Sequence, residues 1–149
     1  MTNTSSAGTA NNTAKLIALP SQDPQLTMVL EYPDHFLGSQ LISIDWNQDY
    51  FISDIAPART YGFEHEVEAL KKSGLAKGGS LENALVIGQD DFLNKPRFSD
   101  ECVRHKCLEL IGDLSLFNHD IIGHIIGIGS GHALNNDLVK HLETLVRRV

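Results

Sequence analysis

The sequence is poor in cysteine and in basic residues. Its two cysteines, Cys102 and Cys107, are five positions apart on one predicted helix. They point to different sides of that helix, so we expect no disulfide between them, and this low cysteine usage fits a reducing cytoplasm. Twelve Lys and Arg residues against 19 Asp and Glu residues give a net charge of −7. This acidic balance argues against nucleic-acid binding.

Long apolar runs are also missing. No run reaches the roughly 18 residues that a transmembrane helix requires, so no membrane span is predicted. The N-terminus lacks a charged segment followed by an apolar one, and no secretion signal is expected. Residues 1–14 contain only small and polar types after Met1. Because such a stretch buries too little apolar surface to offset the entropy of ordering, we expect a disordered tail before a domain at 15–149.

The first part of the domain is typical of strands. Residues 15–19 form a short apolar segment, and residues 26–32 and 40–46 alternate between apolar and polar side chains, with turn residues between them. These three segments predict an antiparallel meander, which residues 50–52 could extend.

The second part mixes helices and strands. Helical spacing marks residues 63–72, and residues 84–87 are typical of a strand. Ser99 and Asp100 are candidate caps of a central helix. An apolar strand at 121–128 and a final helix after His132 complete the chain. The pattern predicts an α+β fold, with one mostly antiparallel sheet and helices on one face.

The central helix carries the first candidate site. His105, Glu109 and Asp113 follow at intervals of four, so their side chains share one stripe. A histidine and a carboxylate one turn apart can chelate zinc without bending the backbone. A solvated polar face would show the same spacing. Lys106 and Gly112 beside the stripe favour a binding site.

Three further positions are candidates. His132 begins a helix after a glycine-rich turn, and Asp113 could support it as an acid; a capping histidine is the alternative. The Thr60 hydroxyl could donate to an oxyanion, or could cap a strand-to-helix junction. Gly79 belongs to a glycine-rich segment that is more typical of a simple turn than of a phosphate loop.

Four motifs together resemble one family. They are Ala-Arg-Thr-Tyr-Gly-Phe at 58–63, the glycine-rich segment 74–84, the Arg-His-Lys to Gly-Asp-Leu helix at 104–114, and Ser-Gly-His-Ala-Leu-Asn-Asn at 130–136. Their order resembles the C-terminal domain of the zinc-dependent UDP-3-O-acyl-N-acetylglucosamine deacetylases of lipid A biosynthesis. The resemblance implies Zn²⁺ as cofactor, UDP-3-O-acyl-N-acetylglucosamine as substrate and a cytoplasmic location.

The resemblance also implies roles for individual residues. His105 stands at a zinc ligand, and Glu109 stands where the family has an aspartate ligand. His132, held by Asp113, would stabilise the oxyanion and protonate the leaving amine, with help from Thr60. The substrate would be contacted by Lys106 and by a small inserted unit at 61–86 that walls the acyl-chain passage, with Tyr61, Phe63, Val67 and Gly79 as binding positions.

The chain departs from the family pattern in two ways. The family's first domain supplies a histidine ligand and a glutamate base on a Thr-Val-Glu-His-type helix, and this sequence has no such segment. We therefore expect a separate chain to supply them. Glu109 is one methylene longer than the aspartate it replaces. The alternatives are a non-catalytic relic that binds the UDP-acyl-sugar or regulates the full enzyme, and a structural domain with a solvated polar stripe.

Overall fold

A computed structural model describes residues 3–4, 14–74 and 80–146 of the chain. Its main elements are, in order, β1 (Asn3–Thr4), β2 (Lys15–Leu19), β3 (Gln25–Tyr32), β4 (Gly38–Asp45), α1 (Gln48–Tyr50), β5 (Thr60–Phe63), α2 (Glu64–Lys72), β6 (Ala84–Ile87), α3 (Glu101–Leu114), β7 (His124–Ile128) and α4 (His132–Val146). A π-helical turn, Phe51–Ile55, follows α1, and a 3₁₀ turn, Ser115–Phe117, follows α3.

Five strands form the main sheet in the order β1-β2-β7-β3-β4. Three of the four strand pairs are antiparallel, and β3 and β7 are parallel. The predicted α+β class with a mostly antiparallel sheet is confirmed. The predicted meander is wrong, because β7 lies between β2 and β3. In this strand, His-Ile-Ile-Gly-Ile, the buried positions alternate with half-buried ones, and both of its edges are paired.

The core lies between one face of this sheet and the two long helices. Alternate residues of β3 point into it, and α3 packs on β3 and β4 while α4 packs on β2. Apolar side chains at helical spacing on α3 and α4 complete this layer. The buried residues shared by sheet and helices include Leu26, Met28, Ile42, Ile125, Val103, Cys107, Leu110, Leu114, Leu134 and Val139.

A second, two-stranded sheet forms a small unit beside the main one. Strands β5 and β6 are parallel, with Thr60 opposite Ala84 and Phe63 opposite Ile87. Helix α2 lies between them in sequence and packs on both. The predicted glycine-rich turn, including Gly79, lies outside the described residues. This β5-α2-β6 unit covers the residues, 61–86, that are expected to form the small inserted unit.

Two local predictions meet different outcomes. Residues 50–52 do not extend the sheet; they are helical, because the side chain of Asn47 accepts a hydrogen bond from the Tyr50 N–H at 3.0 Å and begins α1. Asp100 is the N-cap residue of α3, as predicted, but its side chain makes no capping hydrogen bond. Its carboxylate instead accepts a hydrogen bond from Nε of Arg104 at 2.6 Å.

Other predictions concern the termini and the cysteines. Asn3 and Thr4 pair with β2, and most of the predicted tail lies outside the described residues. Within the described ranges, no helix is both long enough and apolar enough to cross a membrane. Cys102 and Cys107 form no disulfide, as predicted, and both are buried. Burial raises the pKa of each thiol to about 12, so neither thiol forms a reactive thiolate near neutral pH.

Candidate functional site

Helix α3 presents one polar stripe opposite its core face. Glu101, His105, Glu109 and Asp113 recur every four residues, so each side chain lies one turn beyond the previous one. His105 and Asp113 are two turns, or about 12 Å, apart along the helix axis. The stripe thus divides into a pair near the middle of the helix and an acid near its end.

The middle pair is His105 and Glu109. Nδ1 of His105 lies 3.2 Å from the carbonyl oxygen of Ala58. A carbonyl oxygen only accepts, so Nδ1 carries the proton and donates it. In the neutral ring Nε2 is therefore unprotonated, and this atom lies 3.4 Å from Oε1 of Glu109. A backbone carbonyl that fixes the tautomer in this way is the usual partner of a metal-binding histidine.

Nε2 of His105 and Oε1 of Glu109 are close enough to share a cation. Two electronegative atoms at 3.4 Å repel unless a proton or a metal ion offsets their charge. Two ligands of a tetrahedral zinc ion, each about 2.1 Å from the metal, are separated by roughly 3.4 Å. The observed spacing therefore fits two of the four positions. No group of three such ligands occurs within residues 3–4, 14–74 and 80–146, so these residues fit half of a zinc site.

Lys106 contacts the other oxygen of Glu109. Its Nζ donates to Oε2, so both oxygens of the carboxylate have a neighbour. Burial alone would raise the pKa of Glu109, but a proton on Nε2 of His105 and the ammonium of Lys106 together outweigh burial and lower this pKa to about 2. The carboxylate is therefore ionised at neutral pH, which is the state that a metal ligand requires.

Asp113 serves a different histidine. Its Oδ2 accepts from Nδ1 of His132 at 2.8 Å and from Nδ2 of Asn135 at 2.8 Å. Asn135 is 1% exposed, whereas the side chain of His132 is 65% exposed. A buried amide thus holds the carboxylate, and the carboxylate orients an imidazole whose Nε2 is left for other contacts. The sequence singled out Asp113 and His132 but missed Asn135.

The β5-α2-β6 unit carries four of the other predicted residues. Thr60 is exposed at the start of β5, two residues after the carbonyl that holds His105. The ring of Tyr61 meets that of His105 edge-on with centroids 6.1 Å apart, and its hydroxyl hydrogen-bonds to Tyr32 at 3.2 Å. Burial raises the pKa of Tyr61, so the phenol stays neutral.

The remaining two of these four residues are Phe63 and Val67. Phe63 packs edge-on against Tyr32, with ring centroids 5.5 Å apart. Val67 is half-buried on α2, and a Cβ at Gly62 would lie 3.2 Å from its Cγ2. The structure thus brings Tyr61 next to His105 and joins Phe63 to Tyr61 through Tyr32.

A buried ion pair next to these residues was not predicted. The guanidinium of Arg59 binds the carboxylate of Glu101 through two bonds, Nε to Oε1 at 2.9 Å and Nη2 to Oε2 at 3.0 Å. Their side chains are 8% and 0% exposed. Glu101 is four residues before His105 on the same stripe, and that spacing is the signal that could have identified it.

The chain is similar to a family of known deacetylases. Residues 3–144 match the family of UDP-3-O-acyl N-acetylglycosamine deacetylases. The UDP-3-O-acyl-N-acetylglucosamine deacetylase of Syntrophotalea carbinolica is 45% identical over 126 residues, which are 83% of this chain and 41% of that protein. The enzyme of the same name from Citrifermentans bemidjiense is 46% identical over 130 residues, 86% of this chain and 43% of that protein.

A third relative extends the same result. The deacetylase of this name from Bdellovibrio bacteriovorus is 41% identical over 126 residues, covering 83% of this chain and 42% of that protein. The chain therefore spans about two fifths of the length of the curated relatives it matches. Because the family match covers nearly all 149 residues, the chain belongs to the UDP-3-O-acyl N-acetylglycosamine deacetylase family.

Proposed function

We propose that this chain forms one half of a zinc-dependent site that removes the acetyl group from UDP-3-O-acyl-N-acetylglucosamine. The remaining zinc ligand and the general base would come from polypeptide outside these 149 residues. One observation carries the proposal: α3 contributes to two separate pairs, His105 and Glu109 with the spacing of metal ligands, and Asp113 with His132 of α4, whose imidazole it orients. In a polar stripe that is only solvated, two histidines would not each be oriented by a separate protein partner.

His105 and Glu109 would hold the zinc ion. Nε2 of His105 is the free nitrogen of the neutral ring, and Oε1 of Glu109 faces it. Bound zinc would polarise the carbonyl of the substrate acetamide and lower the pKa of a bound water, which together favour attack of that water on the amide. Lys106 keeps the second carboxylate oxygen occupied, which leaves Oε1 directed at the metal position.

His132 would act on the reacting amide. Asp113 accepts a hydrogen bond from the Nδ1–H group of His132. A proton on Nε2, at the other side of the ring, is therefore directed away from Asp113. That proton can stabilise the tetrahedral oxyanion and then pass to the leaving nitrogen, which becomes the free amine. Thr60, exposed on β5, would add a hydroxyl donor to the same oxyanion. The products are acetate and the amino sugar.

The β5-α2-β6 unit would bind the acyl chain of the substrate. Tyr61 and Phe63 offer aromatic surface beside His105, and Val67 adds an aliphatic side chain from α2. Burial of an acyl chain against such surfaces contributes about 0.8 kcal/mol per methylene. Gly79 remains a proposed position within this unit.

The proposal is tested by reconstitution. This chain is mixed with a chain that carries the N-terminal half of a relative, such as that of Citrifermentans bemidjiense, and acetate release from UDP-3-O-acyl-N-acetylglucosamine is measured with and without zinc. We expect zinc-dependent turnover that is lost with His105→Ala and retained with the matched exposed-histidine variant His119→Ala. The proposal fails if the two halves are folded, form a complex and bind zinc, yet release no acetate.

A further inference from the structure

The Ala58–Arg59 peptide group is held from both sides by helix α3. Its carbonyl oxygen accepts from Nδ1 of His105 at 3.2 Å, and its N–H donates to Oε1 of Glu101 at 2.9 Å. A peptide group is planar, and its C=O and N–H are rigidly linked. Fixing the N–H therefore also fixes the direction of the carbonyl that His105 meets.

Glu101 is itself fixed by several contacts. Besides the Arg59 N–H, its oxygens accept from Nε and Nη2 of Arg59 and from the backbone N–H of Arg97, the last at 2.6 Å. Burial alone would raise the pKa of Glu101, but these donors outweigh burial and lower it, so the carboxylate is ionised. A carboxylate with four donors and no exposed surface has a single orientation.

Arg59 extends the same network to the β5-α2-β6 unit. Its Nη1 donates to the carbonyl of Leu81 at 3.1 Å, and its Nη2 donates to the carbonyl of Lys95 at 2.9 Å. These two carbonyls flank β6 in the chain. The segment that leads into β5 is thus tied to α3 at Glu101 and to both flanks of β6 at once.

We propose that Glu101 is a positioning residue for His105. By holding the Arg59 N–H, it directs the Ala58 carbonyl at Nδ1, and this carbonyl keeps the proton on Nδ1 and leaves Nε2 free. The inference rests on the proposed function for the purpose that His105 serves, because an unprotonated Nε2 is what a zinc ligand needs. The geometric claim about the ring stands independently of that purpose.

The test reads the His105 ring directly in the full 149-residue chain. Histidine labelled with ¹⁵N reports at alkaline pH which ring nitrogen carries the proton. We expect wild type to show the Nδ1–H form at His105. In Glu101→Gln an NH₂ replaces one of the two carboxylate oxygens, and it faces donors whichever way the amide turns: the Arg59 N–H and Nε, or Nη2 of Arg59 and the Arg97 N–H. We expect this clash to loosen the hold on the Ala58–Arg59 peptide group, so both ring tautomers appear.

Two further variants separate positioning from stability. The double variant Arg59→Met with Glu101→Met removes the charges together, a change that buried ion pairs often tolerate, and it also removes the acceptor for the Arg59 N–H. It keeps the test valid if Glu101→Gln does not fold. The control is Asp100→Asn, the preceding residue, which pairs with Arg104 and not with the Ala58–Arg59 peptide. We expect mixed tautomers in the double variant and the wild-type signal in the control.

Zinc affinity gives a second readout. We expect Glu101→Gln to weaken binding of zinc alone by about 10- to 100-fold, the usual effect of losing a residue that orients a ligand, and Asp100→Asn to leave it unchanged. The inference is overturned if a folded Glu101→Gln or double variant keeps the single Nδ1–H form. If wild type binds no zinc even when mixed with the N-terminal half of a relative, the proposed metal centre fails, while the tautomer result still decides the role of Glu101.

Discussion

Nδ1 of His132 donates a hydrogen bond at 2.8 Å to Oδ2 of Asp113, although the two residues are 19 positions apart and lie on different helices. Asp113 is on the polar stripe of α3, and His132 is the first residue of α4. The contact exists because the two helices pack against each other beside the main sheet. Local sequence sets each helix, but packing sets the direction of this imidazole.

The first prediction concerns this contact. Asp113→Asn keeps the shape of the side chain but removes its charge, so His132 loses the acceptor that orients it. We expect kcat of the reconstituted enzyme to fall by about 10²- to 10⁴-fold, the range of general acid catalysis, measured as acetate release. His141→Gln changes another exposed histidine of α4 and should leave kcat unchanged. Undiminished kcat in Asp113→Asn would contradict the role of the pair.

Only part of the candidate site can be predicted from the sequence. The regular spacing of His105, Glu109 and Asp113 predicted a shared stripe, since a helix places every fourth side chain on one face. Spacing could not show that Ala58 fixes the tautomer of His105, because that contact joins residues 47 positions apart. Asn135 was missed for the same reason: a buried amide in an apolar helix is identified only by the partner that packing brings to it.

In the fold, too, local features can be predicted from the sequence and long-range contacts cannot. Alternation within β3 and β4 predicted both strands and their pairing. It could not predict that β7, about 100 residues later, inserts between β2 and β3, because pairing partners of a central strand depend on the path of the whole chain.

The second prediction concerns metal binding. His105→Ala removes one of the two ligand atoms, so we expect zinc affinity of the isolated chain to fall by at least about 10-fold, measured by competition with a chelating dye. Glu109→Gln removes the charged oxygen and should act in the same direction. His119→Ala is the control. Equal zinc affinity in wild type and His105→Ala would place any bound zinc elsewhere on the chain.

The third prediction compares two glycines. A Cβ at Gly127 on β7 would lie 2.8 Å from Cε of Met28 and 2.9 Å from Oγ of Ser130, whereas a Cβ at Gly112 on α3 would have nothing within 4 Å. We expect Gly127→Ala to lower the free energy of unfolding by about 1–3 kcal/mol, the cost of overpacking. Gly112→Ala should raise it by about 0.5–1 kcal/mol, because alanine is the better helix former.

Urea denaturation measures both glycine variants. The linear extrapolation gives each free energy of unfolding, and an unchanged slope shows that the unfolding transition itself is the same. The packing explanation fails if both alanine variants shift the midpoint in the same direction. A stabilised Gly127→Ala variant would mean that the Met28 side chain moves aside at no cost.

The fourth prediction concerns the pH dependence of stability. The donors around Glu101 lower its folded-state pKa below the ordinary value of 4.5. A depressed folded-state pKa adds stability that is present above the unfolded-state value and is lost as pH falls through the folded-state value. At neutral pH we expect Glu101→Gln to lose about 3–5 kcal/mol, because Arg59 is then buried without its partner.

Urea denaturation from neutral pH down to about pH 3 checks this sign. The difference in unfolding free energy between wild type and Glu101→Gln should shrink as the pH falls below about 4.5. Protonation of Glu101 removes the carboxylate charge from wild type, and the variant lacks that charge at every pH. Asp100→Asn leaves this pair intact, so it should keep the Glu101-dependent loss on the acid side. A difference that stays constant across the whole range would mean that the carboxylate charge of Glu101 does not stabilise the fold, and that only the shape of its side chain does.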